Sequence, residues 1–151
     1  MEMIAEFQGI YRFLSNFYPS PIEYKGITYP TVEHFFQAMK TKDVHVRKLI
    51  SAAETPAIAK KMGKTVDIRE DWEDIKQNVM RLGLEKKFEI PELREKLIET
   101  GSTYLQEGNS WSDFTWGVCL KTGRGKNLLG KLLMETRSRI MEDCGFEDSI
   151  I

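Results

Sequence analysis

Apolar and polar positions along this 151-residue chain follow three successive patterns. Between residues 4 and 29 the apolar side chains are largely Ile, Phe and Tyr punctuated by Gly and Pro, which predicts short strands and irregular loops. Within PIEYKGITYP, Lys25-Gly26 predicts a hairpin turn. From Val32 the period becomes helical. Thr31 is a good N-cap after the helix-excluding Pro30, and Val32, Phe35, Phe36 and Met39 make one apolar stripe at about 100° per residue, so a helix is predicted from Val32 to about Lys42. VHVRKLISAA continues the helical pattern, and Thr55-Pro56 opens a short helix ended by Gly63. Residues 71–89 put Trp72, Ile75, Val79 and Leu82 at helical spacing, with Asp71 able to cap and Gly83 as a weak point. Pro91 opens a further helix that Gly101 terminates. The stretch from Thr103 to Gly125 loses helical periodicity and predicts strand and loop. From Lys126 to about Asp143 the pattern returns as a core helix carrying Leu129, Leu133 and Ile140 on one side.

The length suits one domain, residues 1–151, with a core large enough to need no disulfide or metal, and no repeat or linker divides it. Lys and Arg total 22 against 23 Asp and Glu, a net charge of −1, so no global basic field advertises nucleic-acid or membrane binding. Cys119 and Cys144 lack metal-ligand spacing and read as free thiols, and with two histidines there is no case for a zinc site. No metal or other cofactor is expected. The N-terminus lacks a charged leader followed by an apolar run, and no stretch reaches the roughly 18 apolar residues of a membrane span, so a soluble, cytoplasmic protein is expected.

Candidate chemistry concentrates on the helix after Pro30. Glu33, Gln37 and Lys40, at i, i+4 and i+7, fall within roughly 60° of one another on the edge of the apolar stripe, where side chains can line a cleft. The alternative is an ordinary solvated flank, with Glu33 merely favourable to the helix dipole. Asn16, set among Phe13, Leu14, Phe17 and Tyr18, either belongs to a Ser-Asn turn or hydrogen-bonds a ligand hydroxyl beside aromatic walls. GKNLLGK has the spacing of a phosphate-binding loop, but Leu132 stands where magnesium binding needs Ser or Thr, which excludes a P-loop NTPase. Gly123 and Gly125, with Arg124 and Lys126, form either an anion-binding turn through backbone N–H groups or a plain glycine turn. In the loop from Glu107 to Gly117, Trp116 either stacks a base or is core, and Asp113 either orients a ribose hydroxyl or water or caps a turn.

FLSNFYPSPIEYKGITYPTVEHFFQAMK, followed by EGNSWSDFTWG and GRGKNLLGKLLMETR, resembles the NADAR, or YbiA-like, family, with the three blocks in the family's order. TPAIAKKMG, REDWEDIKQNVM, KKF and TGSTYLQEGN between them extend the match from about Phe13 to Arg137. The resemblance implies an α+β fold, a mainly helical single domain with a small β-sheet. It implies cleavage of the bond between a ribose C1 and a nitrogen base or amine, without a metal. Two substrate classes are implied: phosphorylated ribosylamino-pyrimidine intermediates of riboflavin synthesis, and ADP-ribose attached to guanine of nucleic acid. On this reading Glu33, Lys40 and Asp113 are catalytic. Asn16 joins Asp113 on the ribose hydroxyls or the water, and Phe36 and Trp116 stack the base. Arg69, Lys40 and the turn Gly123, Arg124, Gly125, Lys126 and Asn127 meet the phosphate. Many relatives carry His where this chain has Ser112, so Ser112 is given no catalytic role. The rival class is a non-catalytic module that binds ADP-ribose or a nucleotide without turnover. A nucleic-acid-binding scaffold is disfavoured by the balanced charge.

Overall fold

A computed structural model of the chain describes residues 2–142. In order, its elements are β1 (Met3–Ile4), a 3-10 helix (Gly9–Leu14), β2 (Ile22–Tyr24), β3 (Ile27–Tyr29), α1 (Val32–Ala38), α2 (Val44–Ser51), α3 (Pro56–Gly63), α4 (Trp72–Lys87), α5 (Pro91–Glu99), β4 (Tyr104–Leu105), β5 (Gly108–Asn109), β6 (Val118–Cys119) and α6 (Leu128–Met141). The expected end of the last helix at Asp143, and Cys144, lie outside the described residues. The α+β, mainly helical class holds, but the described strands form three separate two-stranded ladders in place of one small sheet. The described residues separate into two compact units, residues 16–90 and residues 2–15 with 91–142.

In the unit Asn16–Ile90, β2 and β3 pair antiparallel around Lys25-Gly26, whose φ angles of 48° and 84° suit the expected hairpin turn. Thr31 caps α1 by accepting from the His34 N–H, and Thr55 caps α3 by accepting from the Ile58 N–H. Helix α1 is shorter than the apolar stripe predicts, stopping at Ala38. Its C-terminal carbonyls are taken from outside: the Arg69 backbone N–H donates to Lys40 O at 2.8 Å and the Arg69 guanidinium to Met39 O at 3.4 Å. Asp43 then starts a separate helix, α2, by accepting from the His45 and Val46 N–H groups. Asp71 does not cap α4 through its side chain as expected, because its carboxylate is engaged by Arg69 at 2.6 and 3.1 Å.

Helix α1 is the centre of this unit. Every residue from Val32 to Ala38 is buried, and α2, α3, α4 and β3 all lie against it. Two glycines allow the close approach. A Cβ at Gly83 of α4 would sit 3.2 Å from both Phe35 Cδ2 and Val32 Cγ1, and a Cβ at Gly63 of α3 would overlap the end of Gln37. Phe35 meets Tyr24 and Tyr29 edge-on, each at 5.5 Å, and Phe36 meets Trp72 at 5.0 Å. Buried His34 uses both ring nitrogens, Nδ1 with Thr31 Oγ1 at 2.8 Å and Nε2 with Ala53 O at 3.0 Å. Since Thr31 Oγ1 accepts from the His34 N–H, its hydroxyl can donate to Nδ1 while Nε2–H donates to Ala53.

In the other unit, β1 and β4 pair parallel, as do β5 and β6. Residues 9–14, expected as strand or loop, form a 3-10 helix that buries Phe13 and Leu14. Helix α6 lies on β4, and Gly130 makes this possible, because a Cβ there would strike Leu105 O. Arg137, also buried, ties α6 to the α5–β4 connection by donating to Thr100 Oγ1 at 2.9 Å and Thr103 O at 2.8 Å. Among the described residues no helix is long and apolar enough to cross a membrane.

Two stability predictions follow from α1. Gly83→Leu should destabilise by about 2 kcal/mol in denaturant unfolding, since Val32 and Phe35 are fully buried and leave no room for the added carbons. Burial pushes the His34 imidazole below its ordinary 6.5. The unfolded chain therefore takes up this proton first as pH falls, so the stability held above about pH 6.5 is lost on acidification. Unfolding measured from pH 7.5 to 5 should fall more steeply for the wild type than for His34→Gln, by at most about 1.4 kcal/mol per pH unit. Parallel curves would remove His34 from the acid response.

Candidate active site

Helix α1 carries its polar groups inward, against the expectation that Gln37 could lie on a solvated flank. Glu33 is 8% exposed and Gln37 4%. One helical turn apart, they join directly, the Gln37 Nε2 donating to Glu33 Oε1 at 2.7 Å. The Glu33 N–H is held by Asn16 O at 3.1 Å, so the residue expected to touch ligand also anchors the first turn of α1 through its backbone. Its side-chain Nδ2 points to Met80 Sδ at 3.4 Å, while its buried Oδ1 has no hydrogen-bond partner. A buried acceptor without a partner costs about 1–3 kcal/mol, and such atoms in a folded protein invite a functional explanation.

Lys40 follows α1, half-buried, its N–H bonded to Gln37 O. Burial is the main influence lowering its pKa from the usual 10.5; the Glu33 charge opposes this, and Lys60 and Lys64 add to it. Lys40 thus lies within the electrostatic reach of a carboxylate and of two ammonium groups from the end of α3. A less protonated lysine is a better nucleophile, whereas a protonated one is a better phosphate contact. Phe36 is 7% exposed and is held edge-on by Trp72. The Arg69 guanidinium, with a side chain only 6% exposed, is committed to Asp71 and to the end of α1, so its visible role is to clasp the turn carrying Lys40.

The remaining candidates belong to the other unit. Asp113 uses Oδ1 to accept from the Thr115 and Trp116 N–H groups at 3.1 and 2.9 Å, the turn-capping alternative. Its backbone is gripped by Asn109, which is buried and whose amide bonds both the N–H and the C=O of Asp113. Sequence reasoning passed over Asn109, whose only signal was an amide in a turn-rich loop. Trp116 is half-buried, and its neighbour in the loop, Trp111, is 58% exposed.

The glycine turn before α6 is positioned differently from a phosphate cradle. The N–H groups of Lys126, Asn127, Leu128 and Leu129 donate to the carbonyls of Phe114, Gly117, Thr115 and Trp116, which satisfies the start of α6 from within the protein. The Gly123 N–H donates to Cys119 O and that of Arg124 to Thr122 Oγ1. Asn127, in the left-handed region at φ 52°, accepts from the Glu107 N–H and donates to Leu105 O at 2.9 Å. Gly125 is required for space, since a Cβ there would lie 2.8 Å from Val118 Cα. What this turn offers an anion is mainly the exposed side chains of Arg124 and Lys126. Among the described residues no His, Cys, Asp and Glu cluster is arranged to hold a metal ion.

A buried carboxylate held by an amide, with a partly desolvated lysine beside it, is the equipment of a hydrolase or a ligand-recognition site for a polar, anionic substrate. Comparison with known proteins identifies which group of proteins this is. The NADAR domain model matches residues 5–141. The N-glycosidase YbiA of Escherichia coli is 41% identical over 133 residues, covering 86% of this chain and 82% of that protein. A protein of Nostoc punctiforme, also named an N-glycosidase, is 40% identical and covers 86% of each. An NMR structure of the E. coli protein YbiA superposes with a TM-score of 0.84 at 38% identity, covering 94% of this chain and 86% of that one. The chain belongs to the NADAR family.

The charges around Lys40 give a test that needs no substrate. In an NMR titration of isotopically dimethylated lysines, the joint Lys60→Gln and Lys64→Gln substitutions should raise the Lys40 pKa, and Glu33→Gln should lower it. Shifts of the same sign in both variants would contradict this placement.

Proposed function

We propose that this protein is an N-glycosidase that hydrolyses a ribose C1–N bond in a small nucleotide-like substrate, with Glu33 as the catalytic carboxylate. The observation that carries the reading is the buried Glu33 carboxylate, fixed by Gln37 and close enough to Lys40 to influence its charge. Breaking a C1–N bond builds positive charge on the ribose. A carboxylate held ready in a site of low dielectric stabilises that charge and can accept a proton from the attacking water. The names of the relatives support the same chemistry, and a protein of Vibrio vulnificus 38% identical over 133 residues is named for riboflavin biosynthesis. That alignment spans 36% of its length, so the name describes a larger protein.

Two substrate classes suit this chemistry: phosphorylated ribosylamino-pyrimidines and ADP-ribose attached to guanine. Lys40 serves either as an electrostatic contact to phosphate or as an amine that traps the aldehyde of a ring-opened ribose as a Schiff base. In the second role the amine attacks the aldehyde carbon, water leaves, and hydrolysis later restores the free lysine. For the segment 107–127 the proposed roles are narrower: Asp113 for a ribose hydroxyl, Trp116 for stacking, and Arg124 and Lys126 for phosphate. In our reading residues 1–151 make up one domain of this family's kind. A cytoplasmic location fits substrates of these classes.

Glu33→Gln should retain the fold and lose well over tenfold in the rate of base release; near-normal turnover would remove Glu33 from the mechanism. Borohydride added during turnover separates the two roles of Lys40. A covalent adduct lost in Lys40→Arg establishes the Schiff base, and the absence of any adduct leaves Lys40 as an electrostatic contact.

A further inference from the structure

We infer that Gln37 is the positioning residue of the Glu33 carboxylate and that Gly63 is the seat that holds the Gln37 amide in its working orientation; the catalytic part of this rests on the N-glycosidase reading. Three observations converge. The Gln37 Nε2 donates to Glu33 Oε1 at 2.7 Å, both residues being buried. Gln37 Oε1 is buried with no hydrogen-bond partner, an arrangement that secondary structure alone does not require. Opposite it, a Cβ at Gly63 would overlap Oε1 and come within 2.7 Å of Gln37 Cδ and 3.1 Å of Gln37 Cβ.

The glycine is therefore explained by space. Gly63 is the last residue of α3, is followed by a right-handed cap at Lys64, and is absent from the positive-φ positions, so its backbone conformation is open to any residue. What its missing side chain provides is room for the end of Gln37. The amide orientation then follows from charge. An ionised carboxylate accepts but does not donate, so the amide must turn its NH₂ toward Glu33 and its oxygen toward the Gly63 backbone. Reversal would set an amide oxygen against a carboxylate oxygen unless the carboxyl were protonated. The pair thus favours the charged, acceptor form of Glu33, the form needed to stabilise a ribosyl cation or take a proton from water.

The closing experiment reads the Glu33 carboxyl directly by carbon NMR titration, and kcat and KM for base release, in Gln37→Leu, Gln37→Ala, Gly63→Ala and the Gly63→Ala/Gln37→Ala double variant. Gly63→Ala leaves Gln37 chemically intact and displaces only a flexible side-chain end, so it keeps the idea testable if a Gln37 variant folds poorly. Expected are an upward shift of the Glu33 titration in Gln37→Leu and in Gly63→Ala, with kcat lower by about tenfold or more and KM changed less. In the Gln37→Ala background, where the displaced atoms are gone, Gly63→Ala should add less than about twofold. An unmoved Glu33 titration in both single variants, or a full additional loss from Gly63→Ala in the double variant, overturns the inference. Since the titration needs no turnover, a wild type that releases no base while its Glu33 titration responds as expected would sink the N-glycosidase reading and leave the positioning contact standing.

Discussion

The close approach of two helix backbones to α1 is the constraint on which the unit Asn16–Ile90 depends. Gly63 and Gly83 remove the side chains that would otherwise hold α3 and α4 away, and α1 is buried along its whole length as a result. A helix enclosed in this way ordinarily carries only apolar residues. Here it carries Glu33, His34 and Gln37 as well, with the Gln37 amide donating to Glu33 and the His34 ring bonded to Thr31 and Ala53, while Gln37 Oε1 stays buried against Gly63. Burial that would be a liability for an isolated carboxylate becomes useful when a fixed donor faces it, because the same low dielectric that penalises a free charge strengthens its action on a charge developing nearby.

Local chemistry made much of the fold legible. Caps such as Thr31 and Thr55, the Lys25-Gly26 turn and the proline starts of α3 and α5 are decided by neighbouring residues, and the elements begin where those residues stand. What periodicity could not show was competition from a distance. The apolar stripe runs through Met39, yet α1 stops at Ala38 because Arg69, thirty positions further on, takes the carbonyls that a continuing helix would use. The same arginine, through its Nε and its other terminal nitrogen, engages the Asp71 carboxylate, so Asp71 is a salt-bridge partner and not a side-chain cap.

The candidate site was legible unevenly for related reasons. The i, i+4 spacing of Glu33 and Gln37 placed them side by side, but periodicity alone left a solvated flank open for Gln37, and only the packing of α3 shows it buried. Gly63 looked like a helix stop, since a sequence does not distinguish a glycine needed for its φ from one needed for its missing Cβ. At the start of α6 the glycine-rich turn suggested an anion cradle, and the carbonyls of residues 114–117 already occupy those N–H groups. Family membership, in contrast, was readable from the motif blocks and is carried by the match over residues 5–141.

The central claim is that this protein breaks a ribose C1–N bond instead of only holding a nucleotide. The most direct measurement is mass spectrometry of the purified chain incubated separately with a phosphorylated ribosylamino-pyrimidine and with an oligonucleotide bearing ADP-ribosylated guanine. The account predicts stoichiometric release of the base, or of the unmodified guanine, from at least one of them. Saturable binding of both with neither bond broken would contradict it and establish the binding module in its place.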